Sequence, residues 1–257
     1  MLWVAMLSLN DRTKTKVSGT LANYFSDLFT KKRKLVKLEL DFTAQVKADW
    51  ETILGNTVTD RVKAQKSLKA CYLAAGLEVP SIRWVDHPVN AIQALINQPD
   101  LRDVSGIITN QIWHQSEIAI QTEIDPASTA FVLAQVSPHH TVRTLTGKHQ
   151  ISSIADRLNG LVMTKISDLY WDLTESTIPN PLQDYRISDL SYFDYFMRIG
   201  VNTPEIQLAI DLAESCGWVW TFEKVAILTP KPTKVRIDRH GNVVAIIYNG
   251  VNILSEV

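Results

Sequence analysis

The change of character at Gly217 constrains this chain more than any other feature. Before it, apolar residues recur at helical spacing between glycine stops. After it they come in short β-branched and aromatic runs joined by turn residues. Trp218–Phe222, Lys224–Leu228, Thr233–Asp238 and Val243–Tyr248 have strand composition. Arg239-His240-Gly241-Asn242 and Asn249-Gly250 connect them as hairpin turns, because their glycines reach positive φ without a Cβ penalty. Helices followed by strands predict an α+β fold: a mainly helical body carrying a small C-terminal antiparallel β-meander.

The helical part divides at recognisable signals. Leu21, Tyr24, Phe25, Leu28 and Phe29 make an amphipathic stripe over Ser18–Thr30, followed by the basic residues Lys31, Lys32, Arg33, Lys34 and Lys37. Residues 1–40 are read as a tail, this helix and a basic linker, and 41–257 as one α+β domain. Thr43 is expected to cap a helix ending at Gly55, and Thr59 a second one ending at Gly76, the two forming a helical hairpin. Ser81–Asp86 reads as a strand, and His87-Pro88 opens the next helix, since Pro suits the first helical turn. Ile108, Ile112 and Trp113 suit a helix, whereas Ile118, Ile120, Thr122 and Ile124 alternate as a strand would. Further helices are expected over Ile151–Leu158 and Val162–Leu173, separated by Gly160, and over Asp189–Ile199 and Thr203–Cys216. Thr174–Arg186, with Pro179 and Pro181, reads as a connection.

Composition excludes several classes. With 257 residues, 46% of them hydrophobic, the chain can bury a core without a metal or disulfide staple. A net charge of −1 argues against a surface built throughout for nucleic acid or anionic membrane. Cys71 and Cys216 lie in apolar helical stretches and are expected to be buried thiols. The apolar opening, Met1–Leu7, lacks a basic leader and is too short to span a bilayer, so the expected location is the cytoplasm, away from membranes. His139, His140 and His149 have no acidic or Cys partner at a recognised spacing, and neither a metal nor a cofactor is assigned. Phosphate-cradling glycine motifs, a nucleophile elbow and a zinc-protease helix are all missing from the sequence.

Two blocks of sequence carry a resemblance. The first comprises Trp50, Asp60-Arg61, Tyr72-Leu73-Ala74-Ala75-Gly76-Leu77, Pro80 and Trp84-Val85-Asp86-His87-Pro88. The second comprises Phe193-Asp194-Tyr195-Phe196 and the run Cys216–Glu223, followed by Pro232-Thr233 and Asp238–Gly241. Together they resemble an uncharacterised conserved domain of bacterial proteins, common in cyanobacteria and actinobacteria and sometimes found beside leucine-rich repeats. The chain departs from that pattern at His87, at Thr221 and after Gly241, where Asn242-Val243-Val244 stands. The resemblance implies a coherent domain and brings no established reaction, cofactor or partner.

The residues most able to do chemistry are Arg61, Trp84, Asp86, His87, Asp194 and Trp220. Arg61 presents forked donors suited to phosphate or carboxylate, and His87 beside Asp86 suits acid–base work at a strand-to-helix turn. Trp218 and Trp220, two residues apart, would share one strand face as a stacking wall or as core. Three functions follow. The favoured one is a non-enzymatic binding or assembly module acting on another protein or on a second copy. The others are an enzyme using Arg61, Asp86 and His87 on a phosphorylated or nucleotide-like substrate, and weak nucleic-acid contact through Lys31–Lys37. Convergence of Arg61, His87, Asp194 and Trp220 on one pocket would favour the enzyme, and their dispersal the module.

Overall fold

Helix signals read from the sequence return as a long helical run interrupted by one strand. The computed structural model describes residues 32–97, 101–136, 154–174, 179, 181–182, 187–239 and 243–254. The first elements are α1 (Lys37–Asp41), α2 (Thr43–Gly55), α3 (Arg61–Ala74), β1 (Ser81–Trp84) and α4 (Pro88–Ile96). Next come α5 (Ser105–Thr109), a π-helical turn (Asn110–His114), α6 (Gln115–Glu123) and α7 (Pro126–Val136). α8 (Ile154–Thr174), α9 (Ile187–Arg198) and α10 (Ile206–Ser215) complete the helices. The strands that follow are β2 (Val219–Thr221), β3 (Val225–Leu228), β4 (Lys234–Ile237), β5 (Val243–Tyr248) and β6 (Val251–Asn252). The class is α+β.

The C-terminal strands divide between two sheets. β4, β5 and β6 form an antiparallel meander, while β2 and β3 form a hairpin that β1 joins in the order β1-β3-β2. β1 runs parallel to β3, with Ile82 opposite Ala226 and Trp84 opposite Leu228. All four β3 side chains are buried, and they alternate between two cores. Ala226 and Leu228 face a helical core built on Trp50, Leu68, Tyr72, Ile112 and Phe196. Val225 and Ile227 face a second core with Trp220, Ile92 of α4, Ile166 of α8 and Tyr248 of the meander. Successive strand residues point to opposite faces, so a strand with no polar position must be covered on both. The meander closes over Asn249-Gly250, whose φ values of 48° and 91° are those of the type I′ hairpin turn.

Several local expectations change in the tertiary structure. The alternation Glu117–Ile124, expected as strand, lies in the helix α6 up to its C-cap at Ile124. Ser116 and Ile120 are buried at i, i+4 spacing with Ile112, while Ile118 turns outward. α2 and α3 do not pair mainly with each other: α3 lies along α10, and α2 against α7 and α9. The cap of α3 is Asp60, whose Oδ1 accepts from the Lys63 N–H at 2.9 Å. Thr59 Oγ1 instead accepts from the Lys231 N–H at 2.8 Å. α2 follows directly on α1, and Thr43 Oγ1 donates to the Leu40 carbonyl at 2.7 Å. α8 continues through Gly160, where two helices were expected. Leu35 is buried in the helical core, and the Arg33 N–H donates to the Glu123 carbonyl, so residues 33–40 pack on the body. The expected helix Ser18–Thr30, the loop Pro138–His140 and His149 lie outside the described residues. Among the described residues, no helix is long and apolar enough to cross a membrane.

Where α10 gives way to β2 the backbone passes very close to the end of β3. The Gly217 N–H donates to the Thr229 carbonyl at 2.9 Å, and Thr229 Oγ1 accepts from the Trp218 N–H at 2.8 Å. A Cβ at Gly217 would run into the Pro230 carbonyl oxygen and Thr229 Oγ1. Gly217→Ala is therefore expected to lower the unfolding free energy by about 1–3 kcal/mol, the usual range for overpacking. Urea denaturation measures this, and an unchanged midpoint would rule out a tight crossing. Truncation after Gly217 removes β3 and leaves β1 unpaired, so cooperative thermal unfolding should be lost. A sharp transition in the truncated chain would show the sheet to be dispensable.

Candidate functional site

The structure disperses the residues that sequence reasoning grouped together. Asp194, a ligand-binding candidate in sequence, is buried where α2 packs against α9. Its Oδ2 accepts from Trp50 Nε1 at 2.8 Å, and its two oxygens accept from Arg198 Nε and Nη2 at 2.9 and 2.8 Å. Arg198 Nη1 continues to Asp49 Oδ2 at 2.6 Å. Burial works against the Arg198 charge, yet the two carboxylates outweigh it and push its pKa up. The Arg198 hydrogen bond, followed by that of Gln45, holds the Asp49 carboxyl below its usual range. This network ties α9 to α2.

Trp220 lies in the other core, stacked on Trp218 at 6.3 Å between ring centroids, with Nε1 donating to the Pro179 carbonyl at 3.0 Å. Arg61 and Trp84 do meet: the guanidinium sits over the indole, 4.9 Å from its centroid. Asp86 is exposed. His87 opens α4 as expected, but its ring makes no capping bond, and 93% of the residue is removed from solvent beside Tyr248. No hydrogen bond or ion pair among the described residues joins Asp86 to His87, or Arg61 to either. Thus Arg61 reaches Trp84 alone of the other five, while Asp194 and Trp220 are spent in separate cores.

Acids meet part of the basic stretch. Lys31 lies outside the described residues. Arg33 pairs with Glu39 and, at 3.6 Å, with Glu123. Lys34 contributes to holding the Asp125 carboxyl below its usual range, after the larger effect of the Ser128 hydroxyl. Lys32 is half-buried and Lys37 exposed on the same segment.

Both cysteines are free and buried, as expected. Burial pushes the Cys71 thiol up to about 12, far from a reactive thiolate. Lys231 is also buried; desolvation lowers its pKa, and Nζ donates to the Ile53 carbonyl at 3.3 Å. Among the described residues, no group of three metal-ligating side chains comes together.

One groove gathers polar side chains at the surface. It lies along the helical run Ser105–Glu123, on the outer side of the π-helical turn, and has a volume of about 330 Å³. Ser105, Thr109, Asn110, His114 and Glu117 line one side, and Pro181 and Leu182 the other. Ile108, Ile112, Trp113 and Ile120 anchor the inner face of the same helices in the core. An antiparallel bridge from Asp103 to Phe222 fixes the start of the run to the sheet. Glu117 stands one turn beyond His114, with Oε2 at 4.0 Å from Nδ1, and Glu117 Oε1 accepts from Gln121 Nε2 at 3.1 Å. Sequence reasoning missed this site because it took the second half of the helix for a strand. On a helix, His114-x-x-Glu117 would have placed both side chains on one face. π-helical turns recur at functional sites, since the added residue opens the local surface.

The Asp194 network generates a stability prediction. Asp194→Ala orphans the buried Trp50 N–H and is expected to cost about 1–3 kcal/mol from that group alone. A double-mutant cycle with Trp50→Phe should return a coupling of about 1 kcal/mol. Additive losses in urea denaturation would mean that the Trp50–Asp194 bond contributes nothing to stability.

Compared with known proteins, the chain matches no family model, no curated protein and no solved structure.

Proposed function

We propose that this protein is a non-enzymatic binding module, with the groove along Ser105–Glu117 as its ligand seat. The observation that carries the proposal is the dispersal of the reactive side chains: Asp194 holds Trp50 and Arg198, Trp220 holds the Pro179 carbonyl, and Arg61 rests on Trp84. The groove itself offers hydroxyls, an amide, an imidazole and a carboxylate on a rigid helical support, which is the make-up of a recognition surface. The partner in this reading is another protein or a second copy of the chain, presenting a side chain to the groove. Two buried free thiols suit a reducing compartment, and the cytoplasm is the compartment assigned. The resemblance to the uncharacterised bacterial domain is part of the same proposal, since that family brings no reaction with it.

Gly106 provides the test. It lines the groove, and a Cβ there would meet nothing within 4 Å, so substitution by Phe adds bulk at the seat from a position that accepts a side chain. The full chain is titrated with n-butylammonium, n-butyrate and n-butanol at millimolar concentration, and thermal unfolding is followed. At least one probe should raise the melting temperature of the wild type, as binding to the native state requires, and none should raise that of Gly106→Phe. A probe that stabilises both proteins equally, or a wild type that no probe stabilises, would defeat the proposal.

A further inference from the structure

The groove is mainly apolar and carries one carboxylate, with no Lys or Arg in its lining. Glu117 is the one acidic or basic residue other than His114 among those that line it. Gln121 occupies Glu117 Oε1, whereas Oε2 makes no hydrogen bond among the described residues. The 4.0 Å between Oε2 and His114 Nδ1 is too long for a direct hydrogen bond and leaves room for a donor that reaches both. Ser105 and Thr109 add hydroxyl oxygens along the same wall, and Pro181 and Leu182 supply an apolar wall opposite.

We infer that the groove takes a primary ammonium group on a short aliphatic chain, with Glu117 as its counter-ion; this rests on the binding reading above and names its ligand class. An ammonium carries three donors and no acceptor, so it can reach both Glu117 Oε2 and His114 Nδ1 and leave its third donor to water. Its methylene stem lies along Pro181 and Leu182 while the charged head stays at the polar wall, the usual arrangement for such a chain. A guanidinium fits less well, because its planar fork seeks both oxygens of a carboxylate and Gln121 already holds one. An anion would meet the Glu117 carboxylate, and the lining holds no Lys or Arg to offset it. The same chemistry is offered by a free alkylamine and by a lysine side chain of a partner protein.

Calorimetric titration of the full chain separates the outcomes. The probes are n-butylammonium, n-butyrate, n-butanol, a blocked Gly-Gly-Lys-Gly-Gly peptide and the same peptide with Nε-acetyl-lysine. Binding of n-butylammonium to the wild type is expected, weakened at least tenfold in Glu117→Gln and lost in Gly106→Phe. Glu117 is on the outer helix face, so its amide variant keeps the fold, and its unchanged melting temperature verifies this. A lysine peptide bound at least tenfold more tightly than n-butylammonium, and lost on acetylation, identifies a protein lysine as the source. Equal or weaker binding of the peptide identifies a free amine. If n-butylammonium binds Glu117→Gln as well as wild type, the inference fails. If n-butyrate or n-butanol binds in a Gly106→Phe-sensitive way and n-butylammonium does not, the ligand class is wrong and the groove survives as a seat. If no probe binds, both proposals fall.

Discussion

A strand with no polar face, β3, sets the terms for the rest of this structure. Val225, Ala226, Ile227 and Leu228 cannot be left with either side in water, so the chain must supply a layer on each. One layer is the helical core around Trp50 and Phe196; the other is built from α4, α8 and the meander. β2 covers one edge of β3 through the hairpin at Phe222–Lys224, and β1 covers the other from a position far earlier in the chain. That parallel pairing carries the His87-Pro88 turn and α4 to the second core. It also places Trp84 where α3 can lay Arg61 across it. The two cores are therefore coupled through one sheet.

Within the helical core, one buried carboxylate is satisfied completely. Asp194 accepts one hydrogen bond from Trp50 and two from Arg198, and Arg198 reaches on to Asp49 at the surface. A buried charge is tolerated only when it is paired and hydrogen-bonded, and this arrangement meets both conditions while fixing how α9 crosses α2. The same carboxylate looked like a ligand-binding candidate in sequence, because an acid among aromatics is unusual on either reading. Geometry assigns it to structure. Trp220 follows the same logic, its indole N–H being satisfied by the Pro179 carbonyl inside the second core.

The groove depends on that framework without belonging to either core. Its helical run is held from behind by Ile108, Ile112, Trp113 and Ile120, and its first residues are tied to the end of β2 through the Asp103–Phe222 bridge. Leu182, on the opposing wall, donates its N–H to the Val219 carbonyl at 2.7 Å. Both walls are thus referred to the same strand. Recognition surfaces work best when rigid elements hold the contacting side chains, because less entropy is lost on binding.

The sequence by itself determined whatever depends on a few adjacent residues. Asn249-Gly250 closes a hairpin, His87-Pro88 opens a helix, Gly217 separates helices from strands, and the two apolar-flanked thiols are buried. Each follows from backbone conformational limits or from local apolar spacing. The tertiary structure alone decided the rest. Alternation over Ile118–Ile124 suited a strand, but the packing of Ile112, Ser116 and Ile120 against the core made it a helix. Two short helices in succession suggested a hairpin, and α10 took α3 instead. The parallel partner of β1, the burial of Asp194, and the meeting of His114, Glu117 and Leu182 around one groove involve residues from tens to well over a hundred positions apart. Local periodicity says which face of an element is apolar; it carries no information about which distant element will cover that face, and it is this choice of partner that places the site.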